Sequence, residues 1–81
     1  MTRVVLYTRP GCHLCDEARA MLERARIGFG FDLLERDIDA DEALLRRYLE
    51  RIPVVEIDGD EAFELAIDET ELRRHLARVQ R

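Results

Sequence analysis

Only two cysteines occur in this chain of 81 residues, and they sit together in Tyr7-Thr8-Arg9-Pro10-Gly11-Cys12-His13-Leu14-Cys15. Two residues separate them. An apolar run, Val4-Val5-Leu6, comes before, and a segment with helical patterning follows. A strand that turns into a helix with Cys-x-x-Cys in its first turn is built for thiol–disulfide exchange. Side chains three apart on a helix lie on one face, about 5–6 Å apart at Cβ. A disulfide needs Cα atoms roughly 4.4–6.8 Å apart, so a bridge forms with little movement. A four-residue loop gives such a bridge only about 2 kcal/mol of chain-entropy stabilisation. It therefore adds little as a staple and more as a reversible switch.

The same turn should activate Cys12. The first amides of a helix have no partner inside it and favour negative charge, by about 0.3–1 kcal/mol. Arg9 and a partly protonated His13 push in the same direction. Asp16, four residues on, opposes them. A moderately lowered thiol pKa is expected. Cys12, the N-terminal and more exposed thiol, is the expected nucleophile, and Cys15 is the resolving thiol. Zinc usually takes four ligands, and besides this pair the chain offers only His13 and His75. No metal site within the chain is expected. A metal or iron–sulfur cluster shared between two chains through Cys12 and Cys15 is the alternative, in a binding module without turnover.

The stretch from Tyr7 to Cys15 resembles the active site of glutaredoxins, within the thioredoxin superfamily. Arg9 falls where glutaredoxins commonly carry Lys. Ile52-Pro53-Val54-Val55 is similar to the second landmark of the superfamily, a cis-proline opening a strand. Small bacterial glutaredoxin-like thiol proteins are the nearest likeness. The resemblance implies a thioredoxin-like α/β fold, and a dithiol–disulfide oxidoreductase acting on protein or small-molecule disulfides. It implies substrate contacts from Arg9, His13, Ile52 and Pro53, with the Ile52 backbone left free to pair with an extended substrate. It also implies glutathione or a protein dithiol as electron donor, the latter through a partner of the thioredoxin-reductase type, with no bound cofactor. One landmark differs. Glutaredoxins usually carry a Gly-Gly pair and acidic residues before the last helix. Here that region reads Glu64-Leu65-Ala66-Ile67-Asp68. Glutathione is expected to approach it poorly.

The elements that hold the turn can be read from periodicity. Arg3 to Thr8 is a short, apolar, β-branched strand. Cys15, Ala18, Leu22 and Ala25 make one face of a helix from Cys12 to about Ile27. A strand follows from about Phe31 to Asp37. Asp39 with Glu42 resembles a capping box, and Leu44, Leu45, Tyr48, Leu49 and Ile52 line a helix to about Arg51. Arg46, Arg47 and Arg51 fall on its expected solvated side. Pro53 to Ile57 is a strand, Asp58-Gly59 a hairpin turn, and Ala62 to Ala66 the expected return strand. Asp68 with Glu71 caps a last helix carrying Leu72, Leu76 and Val79. The order is βαβαββα, a four-stranded mixed sheet flanked by helices, in one domain spanning 1–81.

Composition narrows the partners. There are 13 basic and 18 acidic residues, a net charge of −5. That argues against nucleic acid and anionic membranes as partners. No apolar run approaches the ~18 residues of a membrane span. The start reads unlike a signal peptide, so a reducing cytoplasm is the expected setting for the pair.

Overall fold

A computed structural model describes residues 1–81. Strand β1 spans Arg3–Thr8, helix α1 His13–Gly28, and β2 Asp32–Asp37. A short 3-10 turn, Ile38–Ala40, leads to α2, Glu42–Tyr48. Strands β3, Val54–Ile57, and β4, Asp60–Glu64, precede α3, Glu69–Val79. The strands lie in the order β2-β1-β3-β4. β1 runs parallel to β2 and antiparallel to β3, and β3 pairs antiparallel with β4. This is the four-stranded mixed α/β architecture expected from the sequence.

Alternation along β1 divides the core in two, because successive strand side chains point to opposite faces. Val4 and Leu6 join Ala18, Leu22 and Ala25 of α1, Leu72 and Leu76 of α3, and Val55 and Ile57 of β3. Val5 and Tyr7 face the other way, with Ile38, Tyr48 and Val54. Helices α1 and α3 thus cover one face of the central strands and α2 the other. Both ends of the Cys-x-x-Cys stretch are anchored: Leu6 before it and Leu22 beyond it are fully buried.

Three expectations are corrected. Asp39 does not cap α2. Asp41 does, accepting from the Ala43 and Leu44 amides at 2.9 and 3.3 Å. The 3-10 turn explains the shift, since it buries Ile38 in the second core and delays the helix. The return strand starts at Asp60, not Ala62. Asp58 and Gly59 both have positive φ, +50° and +91°, as a two-residue type I′ hairpin requires. Ile57 therefore pairs directly with Asp60. The third correction concerns Arg51, which is half-buried and pairs with Glu61 and Glu64. Arg47 is exposed as expected and also reaches Glu61. The cap at Asp68 is as expected, accepting from Thr70 and Glu71 amides.

Candidate functional site

β1 delivers Thr8 to the edge of the core, and the chain then reverses within four residues. The Cys12 amide donates to the Arg9 carbonyl at 3.3 Å. Pro10 and Gly11 occupy the middle of this turn, and Gly11 has φ +82°. Proline followed by a glycine with positive φ suits the two central positions of a type II turn. The turn places Cys12 at the N-cap of α1. Its sulfur accepts from the Cys15 amide at 3.1 Å. An otherwise orphaned helix amide thus points at the Cys12 sulfur.

Cys12 and Cys15 are bonded to each other, with Cα atoms 5.2 Å apart. Their accessibilities differ. Cys12 is half-buried, whereas Cys15 is 0% exposed. An incoming sulfur can reach only the first. No cluster of three or more His, Cys, Asp or Glu side chains converges here or elsewhere to hold a metal ion.

The neighbouring charges are mostly engaged. Arg9 pairs with Asp39 at 3.2 Å. Asp16, which would repel a Cys12 thiolate, pairs with Arg19 at 2.8 Å. Arg19 also holds Glu35 at 2.7 Å, and these two carboxylates raise its pKa further. His13 is exposed. His75 lies away from the pair, edge-on to Phe63 with ring centres 5.9 Å apart.

The Ile52–Pro53 peptide is cis, and Pro53 is buried. The Ile52 amide donates to the Tyr48 carbonyl at 3.0 Å. The Ile52 amide is therefore engaged within the chain. Next to this segment Leu65 has φ +62°. A left-handed backbone costs a residue with a side chain roughly 1–2 kcal/mol. The Leu65 amide donates to the Pro53 carbonyl at 2.9 Å and to the Arg51 carbonyl at 3.2 Å. The stretch that stands in place of the Gly-Gly pair is thereby tied to the proline segment, with a side chain where glycine would leave space. Glu64 is paired with Arg51 at 3.2 Å.

Sequence reasoning missed the polar cluster behind this segment. Tyr7 stacks on Tyr48 with ring centres 4.4 Å apart. The Tyr7 hydroxyl donates to Glu56 at 3.1 Å, and the Tyr48 hydroxyl to Glu61 at 2.8 Å. The Arg47 and Arg51 guanidinium groups lie over the Tyr48 ring at 5.3 and 5.4 Å. Burial raises the pKa of both tyrosines, and their carboxylate partners add to it. Arg51, then Tyr48, holds the Glu61 carboxyl down to about 2. The spacing of Arg47 and Arg51 was a weak signal for this cluster. It needed the register of the hairpin to become legible.

A mixed sheet in the order β2-β1-β3-β4, with a bonded Cys-x-x-Cys pair opening the first helix, defines a thioredoxin-like protein. The comparisons narrow this class. Residues 3–77 match the model of the glutaredoxin-like domain (DUF836), and the chain belongs to that family. An uncharacterised protein of Mycobacterium tuberculosis is 33% identical over 81 residues, covering 94% of this chain and 84% of the relative. An X-ray structure of a protein from X. campestris superposes with a TM-score of 0.79 at 33% identity, covering 93% and 96% of the two chains. A thioredoxin from Halobacterium salinarum shares the fold, with a TM-score of 0.72 at 18% identity over 95% and 73%.

Proposed function

We propose that this protein is a dithiol–disulfide oxidoreductase. The carrying observation is the asymmetry of the pair at the helix start: Cys12 is reachable and receives the Cys15 amide, while Cys15 is enclosed behind it. In the reduced protein the Cys12 thiolate attacks one sulfur of a substrate disulfide. A Cys12–substrate disulfide forms, and the other substrate sulfur leaves as a thiolate. The Cys15 thiol, losing its proton, then attacks Cys12. The second substrate thiol departs, and the Cys12–Cys15 disulfide remains. Two electrons from a dithiol donor restore the starting state.

The donor is a protein dithiol of the thioredoxin-reductase type, and glutathione is a poor substitute. The occupied Leu65 amide and the Leu65 side chain support this, because glutathione binding of the glutaredoxin kind needs close approach to a glycine backbone. Arg9, His13, Ile52 and Pro53 flank the incoming disulfide. A reducing cytoplasm is the setting that suits the cycle.

Two variants test the scheme. Cys15→Ser should accumulate a stable mixed disulfide on Cys12, visible as an added mass removed by dithiothreitol. Cys12→Ser should reduce no disulfide and trap nothing. Reduction at an undiminished rate by Cys12→Ser would overturn the assignment.

A further inference from the structure

The sheet has two outer strands, β2 and β4, and they differ in charge. β4 carries the acids Asp60, Glu61 and Glu64 and no base, so two copies meeting there would repel. β2 reads Asp32-Leu33-Leu34-Glu35-Arg36-Asp37, and all of it but Leu33 is exposed. Its two faces are distinct. Leu33 packs on the first core, and Glu35 pairs with Arg19 of α1. Asp32, Leu34 and Arg36 therefore share the opposite face, where Leu34 is 50% exposed. Neither Asp32 nor Arg36 takes part in an ion pair within the chain. The backbone is equally well defined. The Asp32 amide donates to the Thr2 carbonyl, just before β1, at 3.0 Å. A parallel strand turns alternate residues toward the same neighbour. The amide and carbonyl groups of Leu33 and Glu35 thus point outward, beyond the edge of the sheet.

We infer that β2 is a self-association edge, on which a second copy of this chain pairs antiparallel about a two-fold axis at Leu34. Geometry limits the register. Facing residues of an antiparallel ladder turn their backbone groups either both toward each other or both away, so the axis must pass through a residue. At Glu35 or Arg36 it would set like charges against each other, which destabilises a sheet. At Leu33 it would leave Leu34 opposite Asp32, and Arg36 opposite Gly30. At Leu34 the strand is complementary to itself. The two Leu34 side chains meet on the axis. Asp32 of each copy faces Arg36 of the other, so an acid–base pair flanks the axis on either side. Leu33 of each copy faces Glu35 of the other, and their outward amides and carbonyls exchange both hydrogen bonds. Such a contact uses the same patch on both copies and therefore stops at a dimer. Its strand is only six residues long, so the dimer is weak. Because β1 runs parallel to β2, the antiparallel copies carry their Cys12–Cys15 pairs at opposite ends of the joined sheet, and both stay accessible.

The test uses the full chain with its Cys12–Cys15 bridge intact, so that no thiol is free to cross-link copies. In sedimentation equilibrium, wild type should pass from monomer to dimer between about 10 μM and about 1 mM, the range of a small polar interface. Over the same range the Leu33 and Glu35 amides should exchange with deuterium about threefold or more slowly, because only the dimer covers them. Arg36→Asp sets acid against Asp32, and Asp32→Arg sets base against Arg36. Each variant alone should associate about tenfold or more weakly than wild type. Mixed in equal amounts, the two variants oppose unlike charges again and should form a heterodimer about as tight as the wild-type dimer. Asp60→Asn, on the β4 edge, should leave association unchanged. A wild type that stays monomeric to the top of the range, a mass beyond the dimer, or a mixture no tighter than its parts would overturn the inference. Should either variant fail to fold, the Leu33 and Glu35 amides of wild type decide alone, and exchange independent of concentration would overturn it.

Discussion

At the scale of the residue, Cys12 is set by backbone geometry more than by charged neighbours. The Cys15 amide lies 3.1 Å from its sulfur. Arg9 is turned to Asp39, and Asp16 is countered by Arg19. The helix start therefore dominates, with small opposing contributions from side chains. In the reduced protein the Cys12 thiol should titrate below the ~8.5 of a free thiol. The rate of iodoacetamide alkylation against pH would measure this, with Cys15 protected by its burial. A midpoint at or above the free-thiol value would remove the helix start as an activating device. The Cys12–Cys15 pair was legible in the sequence because its spacing alone fixes a shared helix face. Leu65 was legible only as a missing glycine. Its importance lies in a backbone angle of +62°, and no composition or periodicity reports an angle.

At the scale of the element, the run Asp37-Ile38-Asp39-Ala40-Asp41-Glu42 shows why a helix start can be misplaced by two residues. Three aspartates stand at alternate positions, and each is a good N-cap residue. Burial of Ile38 decides among them. It forces a 3-10 turn in which the Asp37 carboxylate accepts from the Asp39 amide at 2.8 Å. Asp41 is left to start α2. Asp41→Ala should lower stability by about 0.5–2 kcal/mol, the usual loss of a cap. Asp39→Ala removes only an exposed pair with Arg9 and should cost less, about 0–1 kcal/mol. Urea denaturation of both variants checks the order, and a larger loss at Asp39 would reverse the assignment. The hairpin gives a similar lesson. Apolar residues drew the expected strand toward Ala62–Ala66, but the two-residue turn starts pairing at Asp60. Charged residues at Asp60, Glu61 and Glu64 are ordinary for an exposed edge strand, where they discourage pairing with another chain. Helix α1 and strand β1 were easier to read: burial on one face left a clear period in α1, and burial on both faces left β1 an unbroken apolar run.

At the scale of the whole molecule, the sheet is covered on both faces. α1 and α3 close one face of the sheet around Leu6 and Leu22, and α2 closes the other around Tyr7 and Tyr48. The second face is the smaller and depends more on polar contacts. Glu61 joins α2 to β4 by accepting from Tyr48, Arg47 and Arg51. Arg51 in turn supplies one of the two carbonyls that hold the Leu65 amide. The cluster therefore braces the proline side of the site from behind. Its dependence on pH follows from the Glu61 carboxyl, held near 2 by Arg51 and Tyr48 in the folded protein, against about 4.3 in an unfolded chain. Between these values the unfolded chain binds more protons, so stability falls as pH falls. The contribution of Glu61 should be complete above about pH 5 and gone near pH 2. Glu61→Gln removes the titrating group but nearly preserves its shape. The variant should be less stable than wild type by a constant margin from about pH 5 to 7, and the margin should close as the pH approaches 2. Urea midpoints of both proteins across that range measure it. A margin that persists at pH 2 would mean that Glu61 acts through packing, and that its charge does not brace the site.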